Sequence, residues 1–340
     1  MSDHTRRLQA AVDAVALACR VCRVVQSQRE AIGSTSKDDK SPVTVADFAS
    51  QAVVAHTLRE ALGKVTLVAE EDSAMLREKI AAGDRALIDA VVSAAHASWP
   101  GASADELLDA IDFGGADPVK DGLHGFWTLD PVDGTKGFLR GEQYAVSLAW
   151  IEAGVPIIGV LGCPNLSRDF SRPFDEPDDT GVIYIAQQGG GVYELPANDA
   201  KAKPVHIKRL DPEQDEPVRM CESVEAAHSD HSASERVLEK LGEPAEPARL
   251  DSQAKYAVVA RGQADLYLRL PSKKGYVERI WDHAAGALVA AEAGCAVTDA
   301  RGIPLDFSHG RGLEKNSGIL VAPPALHGRA LRAVGEALGR

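Results

Sequence analysis

Residues 127–148 read WTLDPVDGTKGFLRGEQYAVSL, and this stretch decides the fold. Its apolar start predicts a buried strand, which ends in Asp130 and Asp133, three residues apart. Pro131 fixes the backbone after the first acid, and Gly134 lets the chain turn and approach a ligand closely. Acids at a strand end are expected at the rim of a sheet, where layered α/β proteins bind ligands. A strand followed by an ordinary Asp-Gly turn explains the same residues, so the motif alone leaves both interpretations open.

The charge balance of the chain restricts its partners. The 340 residues include 37 Lys and Arg against 50 Asp and Glu, a formal net charge of −13. Because nucleic-acid binding requires clustered basic residues that release counterions, this balance argues against a nucleic-acid partner. No run approaches the ~18 apolar residues of a membrane span, and MSDHTRR begins no signal peptide. We therefore expect a cytoplasmic protein with no membrane partner.

Five cysteines are scattered along the chain: Cys19, Cys22, Cys163, Cys221 and Cys295. Their odd number and spacing fit a reducing compartment better than a disulfide framework. Cys19 and Cys22 form a CxxC pair inside a helical pattern, without a second pair nearby. Buried thiols on the apolar face of that helix are the favoured interpretation over a redox or metal role.

Apolar periodicity predicts helices in the first part of the chain and then strands. Helices are expected over residues 6–26 and 46–62, and a short buried strand over 65–69. After helical patches between 75 and 108 come the strand ending at Asp130 and two hairpins, which turn at 152–155 and at 189–191. The three glycines of the second turn lack the Lys-Ser/Thr of a phosphate loop, so a hairpin turn is expected there.

The last third of the chain alternates helices and strands. A strand is expected around 218–223, a helix near 231–241, and a short helix leading into a strand within 251–270. A strong Ala-rich helix starts at Asp282 and ends at Gly294, and a strand and a helix close the chain. We place the domain boundary at the end of the Pro-rich polar stretch 196–217. This predicts an α+β domain over 1–217 and an α/β domain over 218–340.

Four further acids stand at element ends. Glu70 and Glu71 end the strand at 65–69, Asp282 starts the Ala-rich helix, and Asp47 follows SPVTVA at another helix start. Each has an ordinary explanation on its own. Asp47 could form a capping box with Thr44, Asp282 could be a simple N-cap, and Glu70 could be a solvated strand end.

Together, acids at two strand ends and two helix starts provide what a hard cation requires. Mg²⁺ prefers oxygen ligands and shares them with substrate phosphates. Sites with two such ions stabilise both the attacking and the leaving oxygen in phosphoryl transfer. Bound cations would also explain how an acidic protein can bind an anionic phosphate ester.

The motifs in combination resemble a known superfamily. DPVDGTKGFLRGEQYAVSLAWIEAGVPIIGVLGCP, SKDDKSPVTVADF, LVAEEDS and IWDHAAG resemble the lithium-sensitive, Mg²⁺-dependent phosphatases that include inositol monophosphatase and fructose-1,6-bisphosphatase. Within it, GTKGFLRGEQ, DSQAKY, YLRLP and AHSDHS resemble the 3′(2′),5′-bisphosphate nucleotidases of plants and fungi. The similarity extends over essentially the whole chain and is least distinctive over residues 74–125. It implies a layered αβαβα sandwich.

The resemblance also implies roles for individual residues. The Mg²⁺ ligands of two or three ions would be the carboxylates of Glu70, Asp130, Asp133 and Asp282 and the backbone carbonyl of Val132. Asp47 and Thr135 would orient and deprotonate the attacking water, in agreement with the general-base role that an acid beside a metal-bound water can play.

Substrate contacts are implied at Gly134, Thr135, His231, Ser252, Lys255 and Arg269. Lys255 and Arg269 can hold a second phosphate through charge-assisted hydrogen bonds. Judged from the residues alone, a solvated loop His, a surface Lys and a strand Arg in an ion pair are the favoured explanations.

The expected reaction is removal of the 3′-phosphate from adenosine 3′,5′-bisphosphate and 3′-phosphoadenylyl sulfate, with a role in sulfate assimilation and inhibition by Li⁺. An inositol polyphosphate 1-phosphatase would use the same metal site on a different alcohol. A catalytically inactive nucleotide-sensing protein is a third interpretation, although every expected ligand type is present. We expect a monomer with a small phosphorylated nucleotide as its partner.

Overall fold

Five layers of helix and sheet form the protein. The computed structural model describes residues 3–32, 41–208, 217–224, 231–242, 247–271 and 275–339, without the side chains of 29–32, 41–43 and 231. In chain order the elements are α1 (Asp3–Ile32), α2 (Ser41–Leu62), β1 (Leu67–Ala69), α3 (Ala74–Ala81), α4 (Ala86–Ala95), α5 (Ala104–Asp112), β2 (Gly125–Asp133), α6 (Thr135–Arg140), β3 (Ala145–Glu152), β4 (Val155–Cys163), β5 (Val182–Gln187), β6 (Gly191–Pro196), β7 (Val205–His206), β8 (Met220–Glu222), α7 (His231–Leu241), β9 (Ala248–Arg249), α8 (Ala254–Ala260), β10 (Leu266–Arg269), α9 (Ala284–Glu292), β11 (Ala296–Thr298), β12 (Ile319–Ala322) and α10 (Pro324–Ala337).

Three apolar cores separate the layers. The first lies between α1, α2 and one face of the sheet β1–β7, and includes Val15, Phe48 and Trp127. The second lies between the other face of that sheet, α8 and α9, and the sheet β8–β12. The third joins that second sheet to α7 and α10. The order helix, sheet, helix, sheet, helix confirms the predicted αβαβα sandwich.

The two sheets divide the chain in sequence. The described strands are ordered β1-β2-β3-β4-β5-β6-β7 in one sheet and β11-β12-β10-β8-β9 in the other. In the first sheet β1 pairs parallel with β2, and the later neighbours are antiparallel. Both predicted hairpins are present as β3–β4 and β5–β6. Helices α8 and α9 belong to the second half of the chain but pack on the first sheet. The domain boundary at residue 217 therefore stays a prediction.

A bulge at the end of β2 sets the direction of its two acids. Asp130 lies opposite Ser147 on β3, and Asp133 lies opposite Ala145. Three steps along β2 therefore match two steps along β3, so β2 contains one extra residue. In a regular strand, side chains three residues apart point to opposite faces, and the extra residue brings them to the same side. The strand continues to Asp133, whereas the sequence predicted a strand end at Asp130 and a turn.

The second helix begins earlier than predicted. It starts at Ser41 rather than near residue 46, so SPVTVA is helical. A proline in the first turn is compatible with this start, because the first amides of a helix have no partner within it. Asp47 lies in the second turn. The capping-box interpretation of Asp47 and Thr44 is therefore wrong.

The helix that follows IWDH also starts later than predicted. Helix α9 begins at Ala284 with His283 as its N-cap, and no side chain caps it. Asp282 is therefore not the N-cap. The end of the helix agrees with the prediction: Gly294 has φ +93°, and the amide of Cys295 donates to Ala290 O over 3.0 Å, as in a Schellman motif.

All five cysteines are free and buried, which confirms the interpretation of Cys19 and Cys22 as core thiols. Burial raises the pKa of Cys22 well above its usual value, as expected of a core thiol. Across the described residues, the helices are too short or too polar to cross a membrane.

Candidate active site

A cavity of about 550 Å³ opens where β1 and β2 end, between the two sheets. Its lining side chains come from both halves of the chain and include most of the residues singled out in the sequence. They are Thr44, Asp47, Glu70, Glu71, Asp130, Val132, Asp133, Gly134, Thr135, Lys136, Leu139, Ser223, Asp251, Ser252, Gln253, Lys255, Tyr267, Arg269, Tyr276, Arg279, Trp281 and Asp282. The cavity therefore brings together every predicted site residue except His231, whose side chain lies outside the described structure.

The cavity carries an excess of carboxyl groups. Seven acidic side chains line it, against four basic ones, which are Lys136, Lys255, Arg269 and Arg279. Burial raises the pKa of Asp130 well above its usual value, and the nearby charges of Glu70, Asp133 and Asp282 raise it further. Desolvation and neighbouring carboxylates likewise raise the pKa of Asp47, Glu70 and Asp282. These carboxylates repel one another, so a cation between them would be strongly stabilised.

Hydrogen bonds hold the two acids of β2 in place. Asp130 Oδ1 accepts the amide of Val132 over 3.1 Å. Asp133 Oδ2 accepts the amide of Gln253 over 2.5 Å. The Gln253 side chain in turn donates to the carbonyl of Trp281 over 2.8 Å. Gln253 thus ties the end of β2 to the segment that carries Asp282.

Asp47 and the acids after β1 are brought together by α2. Gln51, one turn after Asp47, donates to the carbonyl of Glu71 over 2.7 Å and accepts its amide over 3.1 Å. Ser50 Oγ lies 3.3 Å from the carbonyl of Pro131. Burial and the adjacent Glu70 raise the pKa of Glu71 to about 7. Sequence reasoning noticed Glu71 but gave it no role.

Two residues with left-handed backbone meet across the cavity floor. Gly134 has φ +86° and Ser252 has φ +68°. A Cβ on Gly134 would lie 2.8 Å from Ser252 Cβ and 3.1 Å from Ser252 N. Glycine is therefore required here both for its backbone angle and for this close approach.

We expect Gly134→Ala to lower the free energy of unfolding by about 2 kcal/mol and to reduce the phosphatase activity that the sequence predicts, because Ser252 must move. Gly141→Ala is the matched control: Gly141 has φ +77°, but no heavy atom lies within 4 Å of its added Cβ. That variant should lose about 1 kcal/mol and keep its activity. Urea unfolding and phosphate release measure both effects. Equal losses in the two variants would contradict the importance of the contact.

Lys255 is a buried cation of the cavity wall, and Arg269 is a partly buried one. Lys255 is 2% exposed, and its Nζ donates to the carbonyl of Leu250 over 3.1 Å. Burial lowers its pKa, and the charges of Asp133 and Asp251 counteract that shift. The surface-lysine explanation is therefore wrong. Arg269 lines the cavity and also forms an ion pair with Glu278, over 2.7 Å between Nη2 and Oε2.

Arg279 and Trp281 form a part of the wall that sequence reasoning did not single out as a site. The Arg279 guanidinium carbon lies 5.9 Å from the centre of the Trp281 ring, and that of Arg311 lies 4.7 Å away. Arg311 also donates to the carbonyl of Ala116 over 3.1 Å. Both arginines act on the pKa of Glu70 in the lowering direction. No sequence motif indicated this arrangement, because Arg311 comes from a different segment of the chain from Arg279 and Trp281.

The donor set fits a hard divalent cation. The four predicted carboxylate ligands and the backbone of Val132 line one cavity, and carboxylate and carbonyl oxygens are the ligands that Mg²⁺ prefers. Among the described residues, Glu278, Asp282 and His283 form a compact group that could hold a metal ion, because one possible ligand atom from each lies within 4.8 Å of the other two. Two of its members are already paired with each other. Of the four predicted carboxylate ligands, Asp282 is the one that belongs to this group.

The sequence profile of the inositol monophosphatase family matches residues 3–338. The chain is 41% identical to the 3′(2′),5′-bisphosphate nucleotidase of Schizosaccharomyces pombe over 311 residues, which cover 90% of this chain and 87% of that protein. It is 44% identical to 3′(2′),5′-bisphosphate nucleotidase 1 of Arabidopsis thaliana over 346 residues, 98% of this chain and 97% of that protein.

Solved structures share the fold at lower sequence identity. The inositol monophosphatase from Anabaena superimposes with a TM-score of 0.61 at 19% identity, covering 99% of this chain and 97% of its own. CysQ from Bacteroides thetaiotaomicron, described as a bacterial member of the inositol monophosphatase family, gives 0.60 at 19% identity, covering 93% and 96%.

Proposed function

Because the chain belongs to the inositol monophosphatase family, we propose that it is a Mg²⁺-dependent 3′(2′),5′-bisphosphate nucleotidase. Its reaction would release the 3′-phosphate of adenosine 3′,5′-bisphosphate and of 3′-phosphoadenylyl sulfate. The observation that carries this proposal is the cavity itself, which is lined both by repelling carboxylates and by two cations, the buried Lys255 and the partly buried Arg269. The first group suits divalent cations and the second suits a further anionic group on the substrate.

The acidic half of the cavity would hold the cations. Glu70, Asp130, Asp133 and Asp282 would provide carboxylate oxygens and Val132 a backbone carbonyl. Magnesium, when bound there, lowers the pKa of water and neutralises the charge of the leaving oxygen. The number of ions, two or three, stays a prediction, as does inhibition by Li⁺.

Asp47 would accept the proton of the attacking water. It is 9% exposed, and its raised pKa brings the carboxylate closer to the range in which a general base is effective. Thr135 lines the same cavity at the start of α6, and its hydroxyl would orient the water beside Asp47.

The second half of the cavity would bind the nucleotide. Lys255 and Arg269 would contact its other phosphate, and Ser252 and Gly134 would approach it from the cavity floor. His231 is the first residue of α7, and its predicted substrate contact lies outside the described side chains. Cytoplasmic location and a monomeric state stay predictions.

The deciding experiment compares phosphate release from adenosine 3′,5′-bisphosphate and from inositol 1,4-bisphosphate under identical conditions. We expect clear preference for the nucleotide, since relatives at 41–44% identity are named as nucleotidases. Preference for the inositol ester would replace the proposal by an inositol polyphosphate 1-phosphatase. Nucleotide binding without phosphate release at millimolar Mg²⁺ would favour an inactive sensing protein.

Removal of magnesium should abolish activity and destabilise the protein in a pH-dependent way. The folded-state pKa values of Asp47, Asp130 and Asp282 lie above their ordinary values. In EDTA, stability should therefore fall as pH rises and these carboxyls lose protons. Magnesium should raise the melting temperature, and by more at about pH 8 than at about pH 6.5, because its ligands must be deprotonated.

The experiment does not go below about pH 6.5, because His283 has the opposite effect on stability there. Burial lowers the pKa of His283, so protonation of this residue in the unfolded state costs stability at lower pH and opposes the carboxyl effect. Differential scanning fluorimetry in EDTA and in Mg²⁺ provides the measurement. A magnesium-induced shift that is equal at the two pH values would contradict a site built from these acids.

A further inference from the structure

Arg269 does not stand alone in the cavity wall. It ends β10, and its side chain is 12% exposed. Its Nε donates to Glu278 Oε1 over 2.9 Å, and its Nη2 lies 2.7 Å from Glu278 Oε2. Two parallel contacts of this kind fix the plane of a guanidinium as well as its position. The ion pair leaves further Arg269 donors, because a guanidinium has five N–H groups.

Glu278 in turn contacts a second buried residue, His283. Its side chain is 4% exposed, and its Oε2 lies 3.3 Å from Nε2 of the buried His283. The other ring nitrogen of His283 lies 2.8 Å from the hydroxyl of Tyr256. Tyr256 packs directly on Gly286, where an added Cβ would lie 2.4 Å from its ring. The carboxylate therefore has little freedom to move.

A purely structural explanation does not account for the location of this pair at the cavity wall. Burying an ion pair costs desolvation energy that an apolar pair would not cost, so buried pairs are weak stabilisers. The chain nevertheless places this pair at the wall of the cavity, with Arg269 lining it and Glu278 behind. Orientation of the guanidinium towards a ligand explains both the cost and the location.

We propose that Glu278 is a positioning residue, which holds the Arg269 guanidinium in the orientation that binds the second anionic group of the substrate. This inference rests on the proposed nucleotidase function and extends it to a residue that does not itself line the cavity. Glu278 thereby contributes to the preference for a bisphosphate over a monophosphate.

The variant Glu278→Gln tests the inference with little change in shape. Its amide nitrogen faces an Arg269 N–H and cannot accept it, so one of the two contacts is lost. We expect KM for adenosine 3′,5′-bisphosphate to rise about tenfold or more, with kcat within about threefold. For adenosine 3′-monophosphate, which lacks the second phosphate, KM should change less than about twofold.

A matched control separates positioning from stability. Asp265 forms the same type of pair with Arg219, over 2.9 Å and 3.0 Å, and is also buried, but neither residue lines the cavity. Asp265→Asn should lower the melting temperature and leave the KM ratio of the two substrates unchanged. If Glu278→Gln lowers the melting temperature and changes both substrates in parallel, the inference is wrong.

A double-mutant cycle with Arg269→Lys gives the second readout. Lysine cannot form the two parallel contacts, so in this background Glu278→Gln should have almost no further effect on KM. Additive effects would overturn the inference. A wild-type protein that hydrolyses neither nucleotide would overturn the proposed function and this inference with it, whereas an active one with an unchanged KM ratio in Glu278→Gln overturns the inference alone.

Discussion

Asp133→Asn is expected to reduce kcat by on the order of 10³-fold at saturating Mg²⁺, about 4 kcal/mol in the activation free energy. The reason is electrostatic. The carboxylate lines the cavity and acts on the pKa of Asp130, Asp282 and Glu70, so it is central to the acidic cluster. Removing its charge weakens the stabilisation of both the cations and the transition state. The measurement is phosphate release from adenosine 3′,5′-bisphosphate across a magnesium titration.

The fold should survive this change. Asp133 Oδ2 accepts the Gln253 amide, and the carbonyl oxygen of asparagine can accept the same bond. Asp251→Asn is the matched control, since Asp251 lines the same cavity but its carboxylate is paired with Arg140. That variant should lose less than about tenfold. Near-full activity of Asp133→Asn in saturating Mg²⁺ would show that the metal site is assigned wrongly.

Asp47→Asn is expected to lower kcat by about 10²- to 10⁴-fold, the range typical for loss of a general base. Substrate and metal binding should change little, because Asp47 is not among the proposed ligands. The pH dependence should also change: the acidic limb of the rate profile that reports deprotonation of the base should be lost. Single-turnover rates between about pH 6 and pH 9 provide the test.

Glu71 is the competitor for this role, and it supplies the control. It lines the cavity, and its pKa of about 7 lies in the range expected of a base. Its backbone is anchored to Gln51, which stabilises the loop after β1. We expect Glu71→Gln to lose less than about tenfold in kcat. A large loss in Glu71→Gln together with a small one in Asp47→Asn would transfer the role of base to Glu71.

Local patterns in the sequence predicted helices, strands and an α+β half followed by an α/β half, whereas the αβαβα order of the layers was implied by the resemblance to the phosphatase superfamily. Helical spacing in α1, the Ala-rich run of α9 and the alternation in the two hairpins each report which face of an element is buried. Because a buried face must meet another apolar face, these patterns restrict the chain to a few layer orders. Element boundaries were less well predicted, and α2 and α9 start at different residues from those expected.

The candidate site was predictable in its chemistry and only partly in its geometry. The sequence by itself determined which residue types stand at or near the ends of elements. They are the acids of DPVD and AEE at strand ends, the acid of IWDH before α9, the lysine of DSQAKY in the first turn of α8 and the arginine of YLRLP at the end of β10. It did so because local sequence specifies where each strand and helix stops. That their side chains share one cavity depends on the β2 bulge between Asp130 and Asp133.

Tertiary structure alone decided the remaining contacts. Ser252 contacts Gly134, and Glu278 accepts a hydrogen bond from Arg269 and also contacts His283. Partners such as Gly134 and Ser252 are more than a hundred residues apart, and a contact of that kind forms only when separate elements pack. Hydrogen-bond partners set the direction of a guanidinium, and neighbouring charges set the pKa of a carboxyl. Both result from the packing of separate elements and not from any local segment.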